Sequence, residues 1–173
     1  MKILNIHGYG GSAENSAFKA FKDCGFTDII APALDYDKLP PEQMLDYLSN
    51  IAKNENAELI CGTSLGGFYA ALLSAELDMP VILVNPCLIP FLHLPRLGYN
   101  GDIKPFVKLF GKLSSLHSDN VSCIIGEKDS IIDTHDFTEN FLTNPRFRKI
   151  PDGDHFGYTL PLKEYFSEIL SSY

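Results

Sequence analysis

A serine between two glycines, at the point where a buried strand gives way to a helix, constrains this chain more than any other feature. Residues 57–61 have the pattern of a short buried strand, and residues 68–75 that of a helix packed on a sheet. The turn between them contains Gly62, Ser64 and Gly66. A serine in such a turn adopts a strained backbone and needs small neighbours two positions before and after it. The segment is typical of a nucleophile elbow, although ordinary strand-to-helix turns also produce this spacing.

Size and composition indicate one globular domain, residues 1–173, with no appended unit. A chain of 173 residues with 45% apolar content can bury one core. The net charge of −8 argues against a nucleic-acid partner, and no apolar stretch is long enough to cross a membrane. The first residues have the pattern of a strand and not of a signal peptide, so we expect a cytoplasmic protein that acts on a small molecule.

The four cysteines are widely spaced and include no C-x-x-C pair, so they do not indicate a metal or redox motif. We expect them to be small core residues in a reducing compartment. Cys87 follows a predicted strand end and is the one cysteine in the position of a reactive thiol. We therefore expect neither a bound metal nor a cofactor.

Strand and helix patterns alternate along the chain, which predicts a mostly parallel sheet with helices on both faces. The predicted strands are residues 2–6, 27–31, 57–61, 81–84, 121–125 and 146–150. The predicted helices lie at about 14–23, from Pro40-Pro41 to residue 52, and over 68–75, 133–142 and 161–170. The expected fold class is a single-domain, three-layer α/β/α sandwich of about six strands. Functional groups of such a fold collect in loops at the carboxyl ends of the strands.

Residues 88–118 interrupt the alternation with many apolar side chains and few charges in their first part. We interpret this segment as a small cap-like insertion over the carboxyl ends of the strands. Because it would then lie near the mouth of the site, Leu88, Phe91 and Leu92 are predicted to bind an apolar part of the substrate.

An activated serine requires a histidine as base, and that histidine requires a third group that fixes its ring. Among the five histidines, His155 follows the last predicted strand, where this chain order delivers the base. Asp129 follows the strand at 121–125 and is the predicted acid. Asp133 and Glu127 lie in the same region and are alternatives, with Asp133 better suited to cap the next helix.

The tetrahedral intermediate of acyl transfer also requires two N–H donors for its oxyanion. The residue after the nucleophile supplies one donor, and the loop after the first strand supplies the other. The predicted donors are therefore the backbone amides of Leu65 and Tyr9. We expect His7 to hold this loop through hydrogen bonds to the backbone.

Five segments, taken together, carry a family resemblance. They are His7-Gly8-Tyr9, Gly62-Thr63-Ser64-Leu65-Gly66-Gly67, Val84-Asn85-Pro86, Gly126-Glu127-Lys128-Asp129 and Gly153-Asp154-His155-Phe156. In this order they resemble the α/β-hydrolases, in particular the small bacterial YqiA-like esterases. The resemblance implies a serine esterase with a minimal sheet that lacks the amino-terminal strands of larger relatives. It is weakest over residues 88–118, so it implies no substrate preference.

These features predict a serine hydrolase for esters or thioesters with small apolar acyl groups, acting through an acyl-enzyme on Ser64. Two alternatives are open. Gly8, Gly10 and Ala13 satisfy a loose dinucleotide fingerprint with Asp35 as the ribose-binding acid, which would indicate a Rossmann-type protein that binds NAD(P) or FAD. A hydrolase fold kept as a non-catalytic binding module would carry the same serine, aspartate and histidine.

Overall fold

The computed structural model describes residues 1–143 and 146–171. Within them, six strands form one sheet in which every neighbouring pair is parallel. The strands are β1 (Ile3–Ile6), β2 (Ile29–Ile30), β3 (Leu59–Thr63), β4 (Val81–Val84), β5 (Val121–Gly126) and β6 (Phe147–Ile150), in the order β2-β1-β3-β4-β5-β6. The predicted parallel sheet is confirmed. β3 begins and ends two residues later than predicted because its register with β1 pairs Ile3 with Leu59.

Helices cover both faces of the sheet, which confirms the three-layer sandwich. They are α1 (Ser16–Asp23), α2 (Pro41–Asn54), α3 (Leu65–Leu77), α4 (Pro90–His93), α5 (Lys104–Phe110), α6 (His135–Phe141) and α7 (Leu162–Leu170). One core cluster joins α1 and α7 to one face, and a second joins α2, α3 and α5 to the other. Side chains of each strand alternate between them, so Leu83 enters the second cluster and Ile82 enters the first.

Two helix starts differ in how the sequence specifies them. α2 begins at Pro41, where the missing N–H of proline leaves no helical hydrogen bond unmade. α6 begins at His135 and not at the predicted residue 133, and Thr134 precedes it without a capping side-chain bond. The prediction that Asp133 caps this helix is wrong, because its carboxylate instead pairs with the Arg96 guanidinium through contacts of 3.2 and 3.3 Å.

Residues 88–118 contain α4, α5 and two 3₁₀ turns, Leu94–Leu97 and Gly111–Ser115. The apolar side chains of this segment enter the core cluster that holds α2 and α3, and Leu88 and Phe106 are fully buried there. The segment therefore enlarges the helical layer on that face of the sheet. Its role as a cap over the strand ends stays a prediction.

The elbow glycines allow β3, α3 and β1 to approach closely. A Cβ added to Gly62 would lie 2.2 Å from the carbonyl oxygen of Gly66, and one added to Gly66 would lie 2.2 Å from that of Ile6. Backbone atoms at such distances cannot be moved aside by a side-chain rotation. Both positions therefore exclude every residue larger than glycine without a shift of α3.

Replacing Gly62 with alanine tests this packing. We expect Gly62→Ala to lower the free energy of unfolding by about 3 kcal/mol, because overpacked sites with rigid neighbours fall at the high end of the usual range. Chemical denaturation measures the change. Gly111→Ala is the control, since nothing lies within 4 Å of its added Cβ and its φ of −58° suits alanine. Equal stability of the two variants would contradict the packing argument.

Candidate active site

Ser64 occupies the turn between β3 and α3 in a backbone conformation that serine rarely adopts, with φ 55° and ψ −121°. Its carbonyl oxygen accepts hydrogen bonds from the amides of Gly67 and Cys87, both at 2.9 Å. These bonds hold the strained turn on the start of α3 and on the loop after β4. The side chain is directed to the carboxyl edge of the sheet, where Ser64 is 7% exposed and lines a cavity.

Ser64 and His155 line the same cavity, which has a volume of about 360 Å³. The loop after β1 and the start of α1 form one wall, and Phe156 and Tyr158 form another. Among the described residues, no hydrogen bond joins the Ser64 hydroxyl to the His155 ring. In ligand-free enzymes such bonds are often long and tighten only when substrate binds.

Asp129 anchors the His155 ring. Its Oδ2 lies 2.9 Å from Nδ1 of His155, and its Oδ1 accepts the backbone N–H groups of Ile131 and Ile132 at 3.0 and 2.8 Å. Since a carboxylate only accepts, Nδ1 of His155 carries the proton and Nε2 is left as the acceptor. Burial alone would raise the pKa of Asp129, but hydrogen bonds from His135, His155 and Ile132 outweigh it and hold this pKa well below the ordinary value.

Two glycines bring the loop that contains Asp129 into contact with the loop that contains His155. A Cβ on Gly126 would lie 2.4 Å from the carbonyl group of Gly153, so these backbones touch directly. Asn85, at the end of β4, fastens both loops: its Oδ1 accepts from the Gly126 amide, and its Nδ2 donates to the carbonyls of Asp154 and His155. These three bonds are 2.8 to 3.0 Å long and Asn85 is fully buried.

The loop after β1 lies against the serine. A Cβ on Gly8 would stand 2.9 Å from Cβ of Ser64, so only glycine permits this approach. The amides of Tyr9 and Leu65 donate no hydrogen bond to another described residue, which leaves both N–H groups available. His7 holds this loop from behind: its Nε2 accepts the Leu34 amide at 2.9 Å, and its Nδ1 lies 2.8 Å from the Gly8 carbonyl.

The side chains predicted to bind substrate do not line this cavity. Leu88 is buried in the core, Phe91 packs edge-on against the Phe110 ring at 5.6 Å, and Leu92 is 51% exposed to solvent. None of them is among the described residues that line the Ser64 cavity. The reason is that residues 88–118 pack on the α2 and α3 face, whereas the cavity opens toward α1 and the turn at Gly157–Thr159.

The alternative acids have other partners. Glu127 pairs with Lys149 at 3.4 Å, and Asp133 pairs with Arg96 at 3.2 Å. Cys87 is buried, and this burial, with the nearby Asp129 charge, raises its thiol pKa to about 12. The thiol is therefore protonated near neutral pH, which argues against a reactive cysteine here.

Three side chains around the site were not predicted from the sequence. Asn85 belongs to the motif Val84-Asn85-Pro86, but the sequence assigned it no role. Its left-handed φ of 43° is a conformation that asparagine tolerates well. His135 approaches Asp129 Oδ2 with Nε2 at 2.9 Å. His93 is buried between Arg96 and Thr134, and this burial, with the charge of Arg96, lowers its pKa. No periodic pattern in the sequence marks either histidine.

The architecture matches solved α/β-hydrolases. A protein of Xanthomonas campestris pv. campestris assigned to that superfamily aligns over 99% of both chains with a TM-score of 0.69 and 17% identity. An α/β hydrolase from the metagenome of Mar Chica lagoon sediments, Morocco, matches over 99% of this chain and 90% of its own, with TM-score 0.67 and 12% identity. The esterase RhEst1 of Rhodococcus sp. covers the same shares with TM-score 0.61 and 14% identity. This chain therefore has the α/β-hydrolase fold.

Within that class, the chain belongs to UPF0227, an uncharacterised protein family whose model matches residues 2–140. Ser64 and Asp129 fall inside the matched range. A UPF0227 protein of Pectobacterium atrosepticum is 28% identical over 94 residues, which are 51% of this chain and 52% of that protein. The chain thus spans about half the length of the curated relative it matches. The family resemblance predicted from the motifs is confirmed.

The dinucleotide alternative loses its structural support. The strand order β2-β1-β3-β4-β5-β6 differs from the 3-2-1-4-5-6 order typical of Rossmann domains. The Asp35 carboxylate forms a surface ion pair with Lys38 at 3.0 Å.

None of the described helices is both long and apolar enough to cross a bilayer.

The depressed pKa of Asp129 predicts a pH dependence of stability. Because the unfolded chain binds this proton more readily, the contribution of Asp129 is present above the ordinary aspartate pKa of about 3.9 and lost progressively below it. We expect the free energy of unfolding to fall more steeply between about pH 5 and pH 3 in the parent chain than in Asp129→Asn. Urea titrations at each pH give the slopes.

Asp152→Asn serves as the control for this measurement. Asp152 pairs with Lys128 at the surface and has 90% of its side chain exposed, so its removal should leave the slope nearly unchanged. A parent slope identical to that of Asp129→Asn would show that the carboxyl is not preferentially ionised in the fold.

Proposed function

We propose that this chain is a serine hydrolase that cleaves carboxylic ester or thioester bonds through an acyl-enzyme on Ser64. The observation that carries the proposal is the 2.9 Å contact of Asp129 Oδ2 with Nδ1 of His155, because in the neutral ring it leaves Nε2 as the acceptor beside the cavity that Ser64 lines. The hydrolase fold supports it. Esterases occur among proteins of similar architecture, such as RhEst1.

In the first half of the reaction, His155 Nε2 takes the proton of the Ser64 hydroxyl as the oxygen attacks the carbonyl carbon. The carbonyl oxygen becomes an oxyanion, and the amides of Leu65 and Tyr9 stabilise its charge. Asp129 stabilises the imidazolium. The intermediate then collapses: the bond to the leaving group breaks, and the imidazolium gives that alcohol or thiol its proton.

In the second half, water enters the cavity and loses a proton to His155 as its oxygen attacks the acyl carbon. A second oxyanion forms at the same two amides. Its collapse breaks the bond to Ser64, which recovers the proton from the imidazolium, and releases the carboxylic acid. This chain's own residues supply every proton transfer in the cycle, so the proposed route includes no cofactor or metal.

The cavity walls suggest apolar substrates. Phe156 and Tyr158 stack on each other at 5.7 Å with 12° between their planes, and they are 52% and 77% exposed. Leu162 lies on the same side of the cavity. An apolar acyl or alcohol group that covers these rings would be removed from water on binding. These side chains take the role that the sequence assigned to Leu88, Phe91 and Leu92.

Ser64→Ala tests the proposed chemistry. Its turnover of p-nitrophenyl butyrate should fall by about a millionfold, because no other group forms the acyl-enzyme. The parent chain should be labelled covalently by a fluorophosphonate probe, and the variant should not. Ser114→Ala, a change of an exposed serine in the turn at Gly111–Ser115, should retain both properties.

The labelling experiment also separates catalysis from binding alone. A non-catalytic module with the same fold would bind ester ligands without activating its serine. A parent chain that neither reacts with the probe nor hydrolyses esters would therefore overturn the proposal.

Tyr158→Ala tests the apolar wall. Removing a ring that only contacts substrate should raise KM for p-nitrophenyl butyrate about fivefold with little change in kcat, since the lost binding is equal in ground and transition states. Steady-state kinetics give both constants. Leu92→Ala is the matched control, because Leu92 is exposed but does not line the Ser64 cavity, so its removal should leave KM unchanged. A raised KM in Leu92→Ala together with an unchanged KM in Tyr158→Ala would instead support the sequence-based prediction that Leu92 binds substrate.

A further inference from the structure

A second imidazole contacts the proposed catalytic acid. Oδ2 of Asp129 lies 2.9 Å from Nδ1 of His155 and 2.9 Å from Nε2 of His135. Two backbone amides, those of Ile131 and Ile132, occupy Oδ1. The Asp129 side chain has no exposed surface, so these four donors account for its surroundings. The reaction described above uses only one of the two rings.

His135 makes this contact at an energetic cost. It is 9% exposed, and its Nδ1 is buried with no hydrogen-bond partner in the described part of the chain. A buried polar atom without a partner is destabilising, because it loses its hydrogen bonds to water and gains none in the fold. An apolar side chain at the start of α6 would fill the space without that cost. The bond to Asp129 is the one polar interaction that the His135 ring makes in the described structure.

The position of this bond determines what it can do. The carboxylate can rotate about its Cβ–Cγ bond, and the Ile131 and Ile132 amides fix only one of its two oxygens. The His135 N–H fixes the other oxygen, the same atom that receives His155. The bond also draws electron density toward His135, which weakens the attraction of Asp129 for a proton on His155.

We propose that His135 is a positioning residue that orients the Asp129 carboxylate toward His155 and limits the basicity of the His155 ring. The inference rests on the proposed hydrolase function. It assigns to His135 no contact with the substrate. The residue acts only through Asp129, and its loss should change the pH profile and kcat more than KM.

Other charged groups near Asp129 do not produce the same effect. Cys87 is protonated, because burial raises its pKa to about 12. Burial lowers the pKa of His93, as does the charge of Arg96, which itself pairs with Asp133. Four further charged residues line a cavity together with Asp129 and His135, but none of them forms a hydrogen bond to Oδ2 in the described part of the chain; they are Glu127, Asp136, Glu139 and Lys149. The two rings are thus the side chains that contact this oxygen.

Two donor-free variants and one conservative variant test the role. His135→Phe keeps a flat ring and removes the N–H, and His135→Met fills the space with a flexible chain if the phenylalanine does not fold. We expect kcat for p-nitrophenyl butyrate to fall about tenfold with KM within about twofold, as for other outer-shell partners of reactive groups. In the pH profile of kcat/KM, the midpoint of the acid limb should move to higher pH, because the His155 ring becomes more basic when His135 no longer bonds to Asp129.

His135→Gln restores a donor, and its amide should recover most of kcat and return the limb toward its parent position. His117→Phe is the matched control. It removes another histidine that contacts an aspartate, Asp78 at 3.1 Å, from an exposed site. Folded donor-free variants with parent kcat and an unshifted limb would overturn the proposal, as would a glutamine variant as impaired as the phenylalanine one.

An NMR titration of the histidine rings keeps this test separate from the hydrolase proposal. The His155 ring should titrate at higher pH in the donor-free variants than in the parent chain, whether or not the chain turns over an ester. Loss of activity and probe labelling in the parent would reject the hydrolase. An unchanged His155 titration would reject the role of His135 independently.

Discussion

The direct backbone contact between the ends of β1 and β3 and the start of α3 is the constraint on which the rest of the site depends. No side chain fits between Gly62, Gly66 and Ile6, so α3 starts at a fixed distance from the sheet. That distance forces Ser64 into its strained turn and brings Gly8 against it. A fold that relaxed this contact would keep its sheet but would lose the alignment of the serine with the amides of Tyr9 and Leu65.

A second constraint organises the opposite side of the cavity. The loop that contains Asp129 and the loop that contains His155 touch at Gly126 and Gly153, and Asn85 bonds to both. These contacts, between backbones and one buried amide, hold the loops after β5 and β6 together at the end of β4. Asp129 then fixes the ring of His155. The end of β4 connects the two sides, because the Cys87 amide bonds to the Ser64 carbonyl and Asn85 bonds to the loops of Asp129 and His155.

The sequence predicted the parallel sheet, and with it the edge at which the candidate residues lie. Ser64 and Asp129 follow runs of apolar residues, His155 follows the last strand pattern, and parallel strands bring such positions to one edge regardless of side-chain detail. The packing of the segment 88–118 was harder to predict. Its apolar residues are visible in the sequence, but the face on which they pack depends on the surface that α2 and α3 offer, so Leu88 went to the core and Leu92 to solvent. His135 could not be predicted, because its contact depends on the path of the turn after Asp129.

The order of these parts along the chain has a consequence for its assembly. Ser64 and Asn85 precede residue 155 by many positions, and the contact of Asp129 with His155 can form only after the chain has passed through β6. A chain that stopped before β6 would contain Ser64 but would lack one wall of its cavity, which Phe156 and Tyr158 form.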